Sequence, residues 1–167
     1  MDKNCVCCFS GHRDIPSEKI EHLTRRLFEE IKICLDKGIN IFCAGGALGF
    51  DTLAAEAVLR MKEIYPEIKL ILCLPYPGQS SHWKTANKER YLAILSAADE
   101  CYYALDQYTK FCMAVRNKML VDMSGRCICY KTSDKGGTAY TVKLAEKAGL
   151  DIINIADEFC GEQISAF

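Results

Sequence analysis

Ile39-Asn40-Ile41-Phe42-Cys43-Ala44-Gly45-Gly46-Ala47-Leu48-Gly49-Phe50-Asp51-Thr52-Leu53-Ala54-Ala55-Glu56 is the stretch that decides the fold class. Residues 39–43 are apolar at all positions but Asn40, without the alternation of a half-exposed strand. Such a run predicts a strand covered on both faces. Three glycines then fall within five positions. From Asp51 onward Leu53, Ala54, Ala57, Val58 and Met61 return at helical spacing, and Pro66 stops the pattern near residue 65. Buried strand, glycine turn and helix in direct succession form half of a β–α–β unit.

The same pattern recurs on either side. Residues 5–9 predict a first strand. Residues 17–37 predict a helix whose apolar face is Ile20, Leu23, Leu27, Ile31 and Cys34, opened by Pro16 and Ser17 and capped by Gly38. Residues 68–74 predict a third strand, followed by a Pro-, Gly- and Ser-rich loop and a helix over 87–97. A shorter, weaker strand is expected at 100–104, a helix at 111–123 and a strand at 126–130. A helix over 138–148, ended by Gly149, and a strand over 152–155 complete the pattern, leaving a tail over 157–167. Strand–helix alternation with apolar strands and right-handed crossovers predicts a three-layer α/β/α, Rossmann-like, doubly wound sheet, mostly parallel, of about six strands. Six are too few for a closed (β/α)₈ barrel.

A chain of 167 residues fits one domain, expected to span 1–167. That size buries roughly 70% of the unfolded surface and folds without staples. Half the residues are hydrophobic and 26% charged, which is globular composition. Twenty-one Lys and Arg against 22 Asp and Glu give a net charge of −1, with no long-range attraction for nucleic acid or anionic membrane. The first apolar run is too short for a signal-peptide core or a membrane span, so a cytoplasmic protein is expected. Eleven cysteines cannot all pair internally. Most lie within apolar runs and read as small buried hydrophobes in a reducing compartment. No metal or cofactor is expected.

In an open parallel sheet, ligands bind at the carboxyl ends of the strands, beside helix N-termini. Ser10, Gly11, His12 and Arg13 follow the first strand there, and Gly45, Gly46, Gly49 and Asp51 the second. Gln79 and Trp83 stand after the third, and Gly136, Gly137 and Thr138 after the fifth. Two glycine turns opening helices are suited to phosphate, because first-turn amides and the helix dipole favour anions. Neither the Gly-x-Gly-x-x-Gly fingerprint nor the P-loop ending is present. Arg13 could clamp a phosphate in bidentate fashion, and Gln79 and Trp83 could contact a base or sugar. Asp51 reads either as a helix N-cap or as a partner for a sugar hydroxyl. Arg116 and Glu56 read alone as surface charges.

Together these residues resemble a known family. Cys8-Phe9-Ser10-Gly11-His12-Arg13, the run from Gly45 to Glu56, Cys112-Met113-Ala114-Val115-Arg116-Asn117, Met119-Leu120-Val121-Asp122 and Gly136-Gly137-Thr138 are similar in order and spacing to the YpsA-like family. That family belongs to the SLOG superfamily, a Rossmann-like group including DprA and the LOG phosphoribohydrolases. The resemblance implies a sheet order of 3-2-1-4-5-6 and a role in binding a nucleotide or nucleotide-derived ligand. It leaves a homodimer open. In the phosphoribohydrolases an Arg on a helix and a Glu after a Pro-Gly-Gly-x-Gly-Thr turn serve cleavage of the N-glycosidic bond. Arg116 matches the Arg, but Thr141 stands at the Glu position. Threonine cannot stabilise an oxocarbenium-like state as a carboxylate does. Glu56 is the carboxylate that would have to replace it, so Arg116 and Glu56 are the catalytic candidates of a hydrolase alternative. A stretch similar to DprA's Gly-x-Ala-x-Gly-Ile-Asp runs from Gly45 to Asp51. The absence of a basic stripe argues against single-stranded DNA as a partner.

Overall fold

The computed structural model describes residues 1–156. The tail expected over 157–167 lies outside the described residues.

Six strands form one parallel sheet: β1 (Val6–Gly11), β2 (Ile41–Ala44), β3 (Lys69–Leu74), β4 (Glu100–Tyr103), β5 (Arg126–Tyr130) and β6 (Asp151–Asn154). Between them run α1 (Ile20–Asp36), α2 (Phe50–Ile64), α3 (Thr85–Ala97), α4 (Cys112–Met123) and α5 (Gly137–Lys147). Short 3₁₀ turns at Lys3–Cys5 and Ser17–Lys19 lead into β1 and α1. The α/β three-layer class is as the sequence predicts.

The strand order is β4-β3-β2-β1-β5-β6. The runs 3-2-1 and 5-6 agree with the order implied by the resemblance, but β4 pairs outside β3 and β5 takes the place beside β1. The physical reason is burial. The place beside β1 is covered on both faces, and β5 is buried at all five positions. β4 carries Glu100 and two half-exposed tyrosines, and an edge leaves these in solvent.

Alternate side chains of β1 enter two cores. Cys7 and Phe9 face α1, α2 and α3 in a core filled by Phe42, Leu70, Leu72, Ile128 and Leu27. Val6 and Cys8 face α4 and α5 in a second core, with Cys43, Cys73, Cys127, Cys129, Leu120 and Val142. The cysteines thus act mainly as small apolar fillers under α4 and α5, as the sequence predicts. Hydrogen bonding to Cys73, together with burial, pushes the Cys43 thiol up, which leaves it an unreactive group.

A row of aromatic rings fixes α2 on the sheet. Phe50, the first residue of α2, stacks on Tyr130 at 5.9 Å and meets Phe9 edge-on at 6.5 Å, and Phe9 lies over Phe42 at 6.0 Å. Gly11 admits this row, because a Cβ there would stand 2.4 Å from the Phe50 ring. Chain direction across the sheet reverses between β1 and β5. That switch point opens a crevice at the strands' carboxyl ends.

Candidate functional site

A cleft of about 240 Å³ occupies the switch point. Ser10 to Arg13 at the end of β1 form one side, Ala47 and Asp51 a second, Met113, Arg116 and Asn117 of α4 a third, and Gly137, Thr138 and Thr141 of α5 the fourth. Its volume is below the roughly 300–1,000 Å³ of pockets that enclose a drug-sized ligand. A phosphate with its sugar fits such a space, and a larger ligand would extend outside it.

Arg116 lies on the floor, 6% exposed. Its Nη1 donates to the Gly45 carbonyl and its Nε to Asn117 Oδ1 at 2.8 Å. Its Nη2 meets only the Met113 sulfur at 3.8 Å, a weak acceptor. The side chain is therefore held in place with donors to spare. Asp51 is equally buried, and its Oδ2 accepts the Ala47 amide at 3.2 Å. Burial pushes the Asp51 carboxyl up, opposed by the Arg116 charge, the Ala47 amide and Arg13. Burial also pulls Arg116 down, Asp51 opposes this, and Arg13 adds to it by like-charge repulsion. Arg13 stands exposed at the mouth and makes no hydrogen bond or ion pair to another described residue. Among the described residues, two guanidiniums against one carboxylate leave the cleft net positive.

The two glycine turns differ. Among the described residues nothing accepts from the amides of Gly137, Thr138 or Ala139, and added Cβ atoms at Gly136 and Gly137 would meet open space. The α5 N-terminus thus has free donors facing the cleft. The turn before α2 is instead tied to the protein. Ala47 N–H bonds Asp51, Phe50 N–H bonds the His12 carbonyl at 3.1 Å, and Gln79 Nε2 donates to the Gly46 carbonyl at 3.2 Å. From this turn the cleft receives Ala47 and Asp51, while Gly45, Gly46 and Gly49 serve close packing.

Of the residues singled out in the sequence, Ser10, Gly11, His12, Arg13, Asp51, Arg116, Gly137 and Thr138 line the cleft, and Gly136 caps α5 beside it. Others lie elsewhere. Glu56 is on the outer side of α2, ion-paired with Arg90 of α3 at 2.6 Å in a separate groove. Trp83 meets Tyr91 edge-on at 5.2 Å, and Gln79 is buried against Gly46. His12 lines the cleft, yet its Nε2 accepts the Thr132 amide at 2.9 Å. Asn117 also lines the cleft, although the sequence does not single it out. It lies inside the quoted Met113–Asn117 match, but no residue type or spacing marks it as the partner of Arg116. Among the described residues no group of three or more His, Cys, Asp or Glu side chains could hold a metal ion, and no helix is long and apolar enough to cross a membrane.

UPF0398 protein BH1768 of Halalkalibacterium halodurans is 29% identical over 135 residues, which cover 77% of this chain and 69% of that protein. UPF0398 protein YpsA of Bacillus subtilis is 33% identical over 116 residues, 68% of this chain and 64% of the relative. The DNA processing protein A (DprA) of Streptococcus pneumoniae superposes with a TM-score of 0.65 at 20% identity, over 87% of this chain and 48% of its own. DprA of Helicobacter pylori, described for its single-stranded DNA binding mode, gives 0.62 at 22% identity, over 90% and 64%. The DprA likeness shows a shared fold, and this chain spans about half to two thirds of those proteins. The family described as the YspA SLOG family (YpsA) matches residues 10–154, nearly the whole described chain. The chain belongs to that family.

Proposed function

We propose that the cleft binds a phosphate-bearing, nucleotide-derived small ligand. The observation that carries this reading is the pairing of unpartnered α5 amides with a buried, pinned Arg116 across one small, net-positive cleft. The phosphate would sit on the amides of Gly137, Thr138 and Ala139, with the Thr138 hydroxyl and the Arg13 guanidinium beside it. Asp51, Asn117 and Nη2 of Arg116 would take sugar hydroxyls. No second carboxylate lines the cleft among the described residues, and Asp51 already accepts the Ala47 amide. The site is therefore read as one of binding rather than of glycosidic cleavage.

The fold shared with DprA makes single-stranded DNA the competing ligand class. The balanced charge and the small cleft favour a small molecule. Calorimetry with nucleoside mono- and diphosphates, ribose 5-phosphate and an oligothymidylate separates the two. One of the small phosphates is expected to bind, with Arg116→Ala weakening it at least about tenfold, in line with loss of a charge-assisted bond. No free base is expected on incubation. A folded protein that ignores every small phosphate at millimolar concentration, or binds only the oligonucleotide, overturns this reading.

A further inference from the structure

We propose that His12 is a positioning residue: its ring tethers the β5–α5 loop, and with it the N-terminal amides of α5, and releases them when it is protonated. The proposal rests on the ligand site described above and goes beyond it, because it takes His12 away from the ligand.

The loop leaves β5 under two clamps. Asn154 of β6 accepts the Lys131 amide at 3.1 Å through Oδ1 and donates to the Lys131 carbonyl at 3.0 Å through Nδ2. The next amide, Thr132, is taken by His12 Nε2 at 2.9 Å, a bond joining the end of β1 to the end of β5. Beyond Thr132 the bonds among described residues are internal to the loop. Lys131 Nζ pairs with Asp134 at 3.0 Å, and the Lys135 amide meets Ser133 Oγ at 3.2 Å. Gly136 then turns the chain into α5 with φ +96°. Among the described residues the His12 bond is thus the last hydrogen bond to another element before the amides assigned to phosphate.

An imidazole nitrogen that accepts an amide N–H carries no proton, so the ring is neutral with its proton on Nδ1. A protonated ring donates from both nitrogens and would set a donor against the Thr132 donor. The ring stands edge-on to Tyr130 at 5.7 Å, which fixes its orientation. The charged groups around it are Arg13 beside it in the chain, Asp51 of α2 and Arg116 of α4 across the cleft, and the Lys131–Asp134 pair on the tethered loop. No carboxylate is bonded to the ring among the described residues, so nothing there holds the proton on. Burial lowers the His12 pKa from its ordinary 6.5. The neutral, bonded ring is therefore fully present above pH 6.5 and is lost as pH falls through the lowered folded value.

The test uses the whole chain as wild type, His12→Gln and His12→Ala. A Gln amide oxygen reaches about as far as Nε2 and does not titrate. Two readouts are taken at pH 7.5 and at a lower pH where the ring's own NMR signals show His12 protonated: hydrogen exchange at the Thr132 amide, and calorimetric affinity for adenosine monophosphate. Comparing variants at equal pH removes the intrinsic pH dependence of exchange and the titration of the phosphate itself. Thr132 protection is expected to fall in the wild type at the lower pH, to persist in His12→Gln and to be absent in His12→Ala at both values. Wild-type affinity is expected to fall about threefold to tenfold more than that of His12→Gln between the two pH values, as for loss of one hydrogen bond. Protection that survives in the wild type once the His12 ring is protonated overturns the proposal. So does wild-type affinity that runs parallel to the Gln variant, or that rises relative to it, since a rise means the imidazolium binds the anion directly. If adenosine monophosphate binds none of the three, the ligand reading is at fault, and Thr132 exchange still decides the tether. If His12→Ala fails to fold, the wild type and His12→Gln decide it alone.

Discussion

Gly49 shows how much of the site is set by backbone contact. Its φ is +79°, and an added Cβ would stand 2.1 Å from the Arg13 carbonyl oxygen. The turn before α2 and the loop after β1 can approach this closely only without a side chain there. Gly49→Ala is therefore expected to lower stability by more than about 2 kcal/mol, from the positive φ and the clash together, as read by urea unfolding. A change below about 0.5 kcal/mol would contradict the packing described. Glu56 provides the opposite case. Its side chain is 40% exposed and pairs with the half-exposed Arg90. Exposed pairs are worth about 0–1 kcal/mol. Glu56→Gln is expected to shift stability by less than about 1 kcal/mol and to leave ligand affinity unchanged. A tenfold loss of affinity would return Glu56 to the site. Sequence spacing places Glu56 in the first turns of the right helix, but a helix has several faces, and one glycine turn does not say which of them looks into the cleft.

At the scale of elements, β4 and β5 explain what was legible and what was not. Apolar runs and helical periodicity are local, so the number, type and sequence order of the elements could be read directly. The weakness of β4 was visible too, in Glu100 and its paired tyrosines. Its place in the sheet is a long-range property, and the residue-level signal of an edge strand bore on it more directly than the resemblance did. The two strands should respond differently to substitution. Ile128 of β5 is fully buried between helix layers, and Ile128→Ala is expected to cost about 2–5 kcal/mol. Tyr102 of β4 is 43% exposed, and Tyr102→Thr, which puts another strand-favouring residue on the edge, should cost less than about 1 kcal/mol. Equal losses in urea midpoints would place both strands in the interior. The glycine turns follow the same logic. Both have the residue types of an anion cradle, but only bonding across elements ties one turn to Asp51, Gln79 and His12 and leaves the other open.

The whole molecule divides its sheet into two unlike cores, and its thiols report on that division. Five cysteines, Cys8, Cys43, Cys73, Cys127 and Cys129, point from four different strands toward α4 and α5. The opposite face takes Phe9, Phe42 and a set of leucines under three helices. Of the ten described cysteines eight are buried, and Cys5 and Cys101 are partly exposed. A thiol reacts as its thiolate and only when reached by reagent. Burial pushes the Cys101 thiol up, so it should react slowly despite its exposure. Iodoacetamide labelling of the native protein, followed by peptide mass spectrometry, is therefore expected, among the described thiols, to mark Cys5 first and Cys101 later. The five thiols under α4 and α5 should label together, at a rate that rises with urea in step with global unfolding, because α4 and α5 cover all of them. Labelling of Cys8 or Cys43 at the rate of Cys5 in folded protein would mean that α4 does not stay on the sheet. That result would also undermine the cleft, since α4 carries Arg116. Protection of this thiol layer is thus a test of the fold that the ligand site depends on, and it can be made before any ligand is known.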